Sequence, residues 1–171
     1  MWRAIVTVVS LTLLSACAVQ QAARTSACER TISLYARYVD LGVPAEVADL
    51  FAEEATWQLG ETRLKGREVI RAYFALLSKD PARVSRHSQS NIVIDWDSAT
   101  RARGTVYLTL YRGTRREQAF APVAGQPLFV GHYDDEYQFI DGRCEISRRV
   151  VVPAFKTELF TIRGLRPLIA T

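Results

Sequence analysis

The chain has 171 residues, with 22 basic and 18 acidic side chains that give a formal net charge of +4. The arginines are spread along the chain among acidic residues, so they form no basic stripe of the kind that binds nucleic acid, and we expect no nucleic-acid partner. This length accommodates one domain with a single hydrophobic core and excludes two.

The first 17 residues have the pattern of a secretory leader. A basic start at Arg3 precedes an apolar run over residues 4–14, which is too short to span a bilayer. The following Leu14-Ser15-Ala16-Cys17 resembles the lipobox of bacterial lipoproteins. This resemblance implies that Cys17 is acylated and becomes the new amino terminus, and Ala18 in the next position implies an outer-membrane lipoprotein that faces the periplasm.

Two alternatives to a lipid anchor stay open. The leader is an ordinary signal peptide cleaved near Ala16 or Ala18, which gives a soluble periplasmic protein, or the start is mis-assigned and the protein is cytoplasmic. With the lipoprotein interpretation, we expect a leader at 1–17, a polar tether at 18–25, a domain at 26–155 and a tail at 156–171.

The domain is predicted to begin with helices and to end with strands. Ser26-Ala27-Cys28-Glu29 has the form of a capping box, and apolar residues then recur at helical spacing. A second helix over 45–55, a brief strand over 56–59 and a third helix over 67–77 follow. Alternating residues then predict four strands, at 84–96, 102–111, 128–140 and 143–152.

Asp141-Gly142 predicts a hairpin between the last two strands. A polar loop over 112–126 joins the second strand to the third. This order of elements predicts an α+β fold in which three N-terminal helices pack on a curved, mostly antiparallel sheet.

Polar residues at alternate positions of the first long strand predict a pocket. His87, Gln89 and Asn91 would project from one face of that strand. His132 alternates with acidic residues, opposite the aromatic residues of its own strand. The two histidines lie on separate strands without His-x-His or Cys-x-x-Cys spacing, so we expect no metal site, and the absence of a glycine-rich phosphate loop predicts no cofactor.

From about residue 32 to 153 the chain resembles the SnoaL-like branch of the nuclear transport factor 2-like superfamily, which implies a cone-shaped barrel. The residues that carry the resemblance are Tyr35, Asp40, Leu50 to Trp57, Gly66, Arg86 to Ile92, Gly131 to Asp135, Asp141-Gly142 and Arg149. The chain departs from its relatives at Cys144, where a tryptophan is common, and it has no match for the second pocket histidine of scytalone dehydratases.

The resemblance to dehydratase members implies a catalytic set of Tyr35, Asp40 and His87. It also implies a group of substrate-binding residues: Trp57, Asn91, Tyr133 and Arg149. A carboxylate that accepts a hydrogen bond from one ring nitrogen of a histidine leaves the other nitrogen free as a base. Tyr35 could then donate to a substrate oxygen where negative charge develops.

Two functions follow as alternatives. The first is a cofactor-independent lyase (dehydratase) or isomerase that acts by proton transfer on a small apolar molecule with a carbonyl group. The second is a non-catalytic ligand-binding or dimerisation scaffold, anchored at the periplasmic face of a membrane. We expect a homodimer in either case.

The chain has three cysteines, so two remain besides the expected lipidation site. If Cys17 is acylated, Cys28 and Cys144 remain in an oxidising compartment, on elements that pack together in this fold. They form either a disulfide or two buried free thiols.

Overall fold

The computed structural model of the protein describes residues 2–77, 82–115, 121 and 126–156, with side chains from residue 17 onward. In chain order the elements are α1 (Trp2–Leu41), a 3-10 helix (Pro44–Leu50), β1 (Phe51–Leu59), β2 (Thr62–Lys65), α2 (Arg67–Leu77), β3 (Arg83–Trp96), β4 (Arg101–Thr114), β5 (Phe129–Ile140) and β6 (Arg143–Lys156). Among the described residues, no helix is long and apolar enough to cross a membrane.

The six strands form one curved, mixed sheet in the order β2-β1-β6-β5-β4-β3. β1 pairs with β6 in parallel, and the other neighbouring strands are antiparallel. The expected α+β fold is confirmed. The sheet is not closed, so it is a curved open sheet and not the expected barrel. β2 and β3 form its two edges, and register shifts within β3, β5 and β6 bend the strands.

The four long strands lie where the alternating pattern predicts them. The β5–β6 turn also follows the prediction: Asp141 has φ 51° and Gly142 has φ 76°, the left-handed backbone that a two-residue hairpin of this hand requires.

The predicted second helix over 45–55 is wrong in its second half. The 3-10 helix begins at Pro44, as the proline indicates, and ends at Leu50, after which β1 starts. The sequence Ala52-Glu53-Glu54-Ala55 favours a helix locally. It is nevertheless part of the strand β1, which pairs with β6 at Phe51 on one side of the segment and from Thr56 onward on the other.

The predicted start of the first helix at Ser26 is also wrong, since α1 is already helical from Trp2. Residues 20–23 are good helix formers, so the helix continues through the predicted tether at 18–25. The last two residues of this segment contact the sheet: Arg24 Nη1 donates to the Ala99 carbonyl at 2.7 Å, and Trp96 Nε1 donates to Thr25 Oγ1 at 2.9 Å.

The core lies between the helices and the sheet face that they cover. α1 is fixed to β6 by a disulfide between Cys28 and Cys144, so of the two alternatives for this pair the structure has the bridge. Thr31 Oγ1 donates to the Cys144 carbonyl at 2.7 Å beside it. Further along α1, Tyr35 and then Asp40 follow Thr31 and lie over the sheet.

Candidate functional site

Asp40 and His87 form a hydrogen-bonded pair inside the domain. The distance from His87 Nδ1 to Asp40 Oδ1 is 2.6 Å, and the two side chains are only 9% and 7% exposed. Since a carboxylate accepts a hydrogen bond, the neutral form of the ring carries its proton on Nδ1 and has its lone pair on Nε2. The expected contact between these two residues is therefore present.

The edge position of β3 explains how one carboxylate holds His87 so firmly. His87 uses its backbone N–H to donate to Asp40 Oδ2 at 2.6 Å. A central strand would use such a group for pairing, but no strand among the described residues pairs with the outer edge of β3. Asp40 thus binds the backbone and the ring of the same residue.

Tyr35 lies five residues before Asp40 on α1 and is 3% exposed. Its hydroxyl accepts a hydrogen bond from Trp57 Nε1 at 3.1 Å, which leaves its own proton free to donate. Burial raises the pKa of Tyr35 to about 12, an effect that the nearby Arg149 charge partly offsets. Tyr35 therefore stays protonated and acts as a hydrogen-bond donor, not as a base.

Arg149 is fully buried and paired with a buried acid. Its Nε and Nη2 donate to the two carboxylate oxygens of Asp135 at 2.8 and 2.6 Å, and the Tyr137 hydroxyl donates to the same carboxylate at 2.6 Å. Burial by itself would lower the pKa of Arg149, but the charge of Asp135 outweighs it and the pKa lies above its ordinary value. Arg149 is thus a permanent cation in the core.

Two tyrosine rings enclose the guanidinium of Arg149. Its Cζ lies 4.1 Å from the ring centroid of Tyr35 and 3.9 Å from that of Tyr133. Burial raises the pKa of Tyr133 well above its ordinary value, and the Asp40 carboxylate adds a smaller contribution in the same direction. The guanidinium of Arg149 therefore contacts both aromatic rings.

Six of the seven expected catalytic and substrate-binding residues lie in two contact groups. Asp40 is paired with His87, and Tyr35 contacts Tyr133 and Arg149 and accepts a hydrogen bond from Trp57. Asn91 does not join them. It is exposed and has φ 47°, within a bulge between Ser90 and Val93 that inserts one extra residue into β3. An extra residue reverses which face the following side chains occupy, so the alternation that aligned Asn91 with His87 stops before it.

Asp135 and Tyr137 belong to the site but were not among the expected residues. A signal for Asp135 was available: it falls between Tyr133 and Tyr137, in phase with the aromatic face of its strand, so burial of its charge could be read from the alternation. In the described part of the chain, no three His, Cys, Asp or Glu side chains cluster so as to hold a metal ion.

Residues 20–150 match the SnoaL-like domain family. No curated protein matches the sequence. Several solved structures resemble it in fold, at sequence identities below 25%.

Among these structures is a scytalone dehydratase candidate from Novosphingobium aromaticivorans, with 22% identity and a TM-score of 0.72 over 90% of this chain and 99% of that one. Another is a hexachlorocyclohexane dehydrochlorinase from Novosphingobium barchaimii, with 18% identity and a TM-score of 0.66 over 87% and 99%. A third is a protein of unknown function from Mycobacterium tuberculosis, with 17% identity and a TM-score of 0.68 over 80% and 75%.

Proposed function

The chain belongs to the SnoaL-like domain family, and from this premise we propose that it is a cofactor-independent lyase or isomerase. It would move a proton within a small, largely apolar molecule that carries a carbonyl group. The observation that carries the proposal is the Asp40–His87 hydrogen bond, which is nearly buried and presents Nε2 of the ring as a free base.

The reaction begins at a carbon next to the carbonyl. Nε2 of His87 takes a proton from this carbon, and the electron pair of the broken C–H bond moves toward the carbonyl oxygen. The Tyr35 hydroxyl, whose proton is not used by Trp57, and Nη1 of Arg149 supply the donors that stabilise the negative oxygen.

The second step distinguishes a lyase from an isomerase. In a dehydration, the electron pair returns to form a carbon–carbon double bond, and a hydroxyl on the neighbouring carbon leaves with the proton from His87 as water. In an isomerisation, His87 returns the proton to another carbon of the same molecule. Both routes use the same residues and need no cofactor.

The names of two similar structures, a dehydratase and a dehydrochlorinase, denote eliminations. Their identity to this chain is too low to carry an activity over. They support the proposal because this fold accommodates the reaction type that the Asp40–His87 pair suits.

Proton abstraction can be tested before the natural substrate is known. Exchange of the protons next to the carbonyl of 1-tetralone and 1-indanone would be followed by NMR in deuterated buffer. The wild-type protein should accelerate exchange, and His87→Ala should reduce the acceleration by about a hundredfold to ten-thousandfold, as loss of a positioned base does. Asp40→Asn should reduce it less, because the ring remains while its charged partner is lost.

His132→Ala is the matched control, since His132 lies on β5 beside the exposed Tyr107 and not in the core. Equal exchange by His87→Ala and the wild type would contradict the proposal. No acceleration by the wild type with either ketone would favour the second function, a non-catalytic ligand-binding or dimerisation scaffold.

One observation favours a homodimer in either case. The face of the sheet away from the core exposes Val93, Tyr107 and Tyr111, of which Tyr107 is 53% exposed. Apolar and aromatic side chains on an open sheet face are typical of an interface between subunits.

We also propose that the protein is a lipoprotein of the outer membrane, attached through Cys17 and facing the periplasm. Cys17 is exposed and unbonded, and the other two cysteines already form a disulfide, the state expected in an oxidising compartment. The anchor would be joined to the domain through α1.

A further inference from the structure

Three buried polar atoms, two of them on the residues that flank His87 on its face of β3, have no hydrogen-bond partner in the described part of the chain. They are Ser85 Oγ, Gln89 Nε2 and Arg149 Nη1. Buried polar atoms are almost always hydrogen bonded, because desolvation without a partner costs free energy. Several such atoms around one base indicate that the missing partner is a molecule that binds there.

Ser85 and Gln89 flank His87 on the same face of β3. They stand two residues before and two residues after it, and the exposed Arg86 and Ser88 lie between them on the opposite face. Their register partners on β4 include the buried Leu108, opposite Gln89. At about 3.3 Å per residue, the Cα atoms of Ser85 and Gln89 are roughly 13 Å apart, with the base midway.

The chemistry of these atoms restricts what can bind. An arginine nitrogen and an amide nitrogen only donate hydrogen bonds, and a serine hydroxyl donates or accepts. Arg149 reaches the site from β6, whereas Ser85 and Gln89 reach it from the edge strand. A complementary ligand therefore carries oxygen acceptors at two separate places.

We propose that a second oxygen of the substrate binds at Ser85 or at Gln89, on one side of His87 or the other, apart from the carbonyl oxygen at Tyr35 and Arg149. The substrate class is then a small carbon skeleton with at least two oxygen substituents, on either side of the carbon that loses its proton, and not a hydrocarbon or a halocarbon. This inference rests on the proposed function for the identity of the site, but its test requires no turnover.

Unreactive dihydroxynaphthalenes that differ in the separation of their two oxygens would serve as probes, with 1-naphthol and 2-naphthol as the one-oxygen references. Dissociation constants would be measured by calorimetry. The wild type should bind at least one diol roughly threefold to tenfold more tightly than either naphthol, the gain expected from one added hydrogen bond. Ser85→Ala or Gln89→Leu, whichever removes the side chain that binds the second oxygen of that diol, should reduce this preference to less than about twofold, and both variants should leave naphthol binding unchanged.

Ser88→Ala is the matched control, because Ser88 is on the same strand but exposed on the other face. Thermal unfolding provides a second readout. Since Ser85 Oγ and Gln89 Nε2 have no partner to lose, both variants should unfold at the same temperature as the wild type or higher, whereas loss of a structural hydrogen bond would lower it.

A wild type that prefers no diol would contradict the inference, as would full retention of the preference by both variants. A protein that shows the preference but exchanges no ketone proton would contradict the proton-transfer function alone, and the two failures are thus distinguishable.

Discussion

At the scale of single residues, the least replaceable charge is the carboxylate of Asp135. It is fully buried together with Arg149, and its two oxygens accept from Nε and Nη2 of that residue. A buried ion pair adds little net stability compared with apolar residues, because desolvation offsets the attraction. Removal of one partner is costly, because the other charge is left without compensation.

Asp135→Asn should therefore lower the free energy of unfolding by about 3–5 kcal/mol, measured by urea denaturation. The double variant with Arg149→Met should be more stable than Asp135→Asn alone, since both buried charges are then absent. A single variant that costs less than about 1 kcal/mol, or a double variant that is less stable than the single one, would contradict this account.

The residues of the site were predictable where a local pattern carried them. Tyr35 lies in the apolar stripe of a helix with Asp40 at the edge of that stripe, and His87 lies on a strand before any irregularity, so the expected contact of Asp40 with His87 is present. The position of Asn91 was not predictable, because a bulge depends on strand pairing and leaves no signal in the alternation of the sequence. The unpaired state of Ser85 could not be predicted, because it depends on every neighbour in the fold.

At the scale of elements, α1 is tied to the sheet at four successive levels. These are Arg24 and Thr25 at the β3–β4 end, the Cys28–Cys144 disulfide, Tyr35 at Trp57, and Asp40 at His87. The helix carries two of the three catalytic candidates, so its attachment determines where they lie relative to the base.

The disulfide should contribute much of this attachment. It joins residues 116 apart in sequence, and closing a loop of that length in the unfolded chain is worth about 5 kcal/mol in the chain-entropy model. Cys28→Ala combined with Cys144→Ala should lower the urea midpoint, and dithiothreitol should lower that of the wild type but not of the double variant. The control is Cys17→Ser, which should unfold like the wild type, and an unchanged midpoint after complete reduction would contradict the prediction.

Element types were predictable where periodicity and local propensity agreed, as in β3 to β6 and in α2. Residues 51–55 show the opposite case, because their composition favours a helix while the parallel pairing of β1 with β6 demands a strand. Long-range pairing is invisible in a short window of sequence, so the local preference gave the wrong element.

At the scale of the whole molecule, we predict that the protein is acylated at Cys17 and attached to a membrane. The chain expressed in a Gram-negative host should be recovered in the membrane fraction with Cys17 acylated, as measured by intact mass, and Cys17→Ser should not be acylated. Ala18→Asp is the informative companion, since it should keep the lipid but change the membrane in which the protein is found. An unmodified Cys17 with Met1 retained would contradict the prediction.

The overall architecture followed from the order of elements, but closure of the sheet did not. Whether a sheet closes depends on strand tilt and register summed over all pairs, which no single segment encodes. One of the two open edges that result is β3, the strand that carries His87.

That edge has a consequence for association with other chains. An unpaired strand edge invites another extended chain to add to it, and the backbone N–H of His87 would be one of the groups offered. Asp40 occupies this N–H with the same carboxylate that orients the ring. A strand that added to β3 at this residue would have to displace the Asp40 carboxylate from the backbone N–H. The same displacement would remove the hydrogen bond that orients the His87 ring, so association along this edge would also disrupt the base.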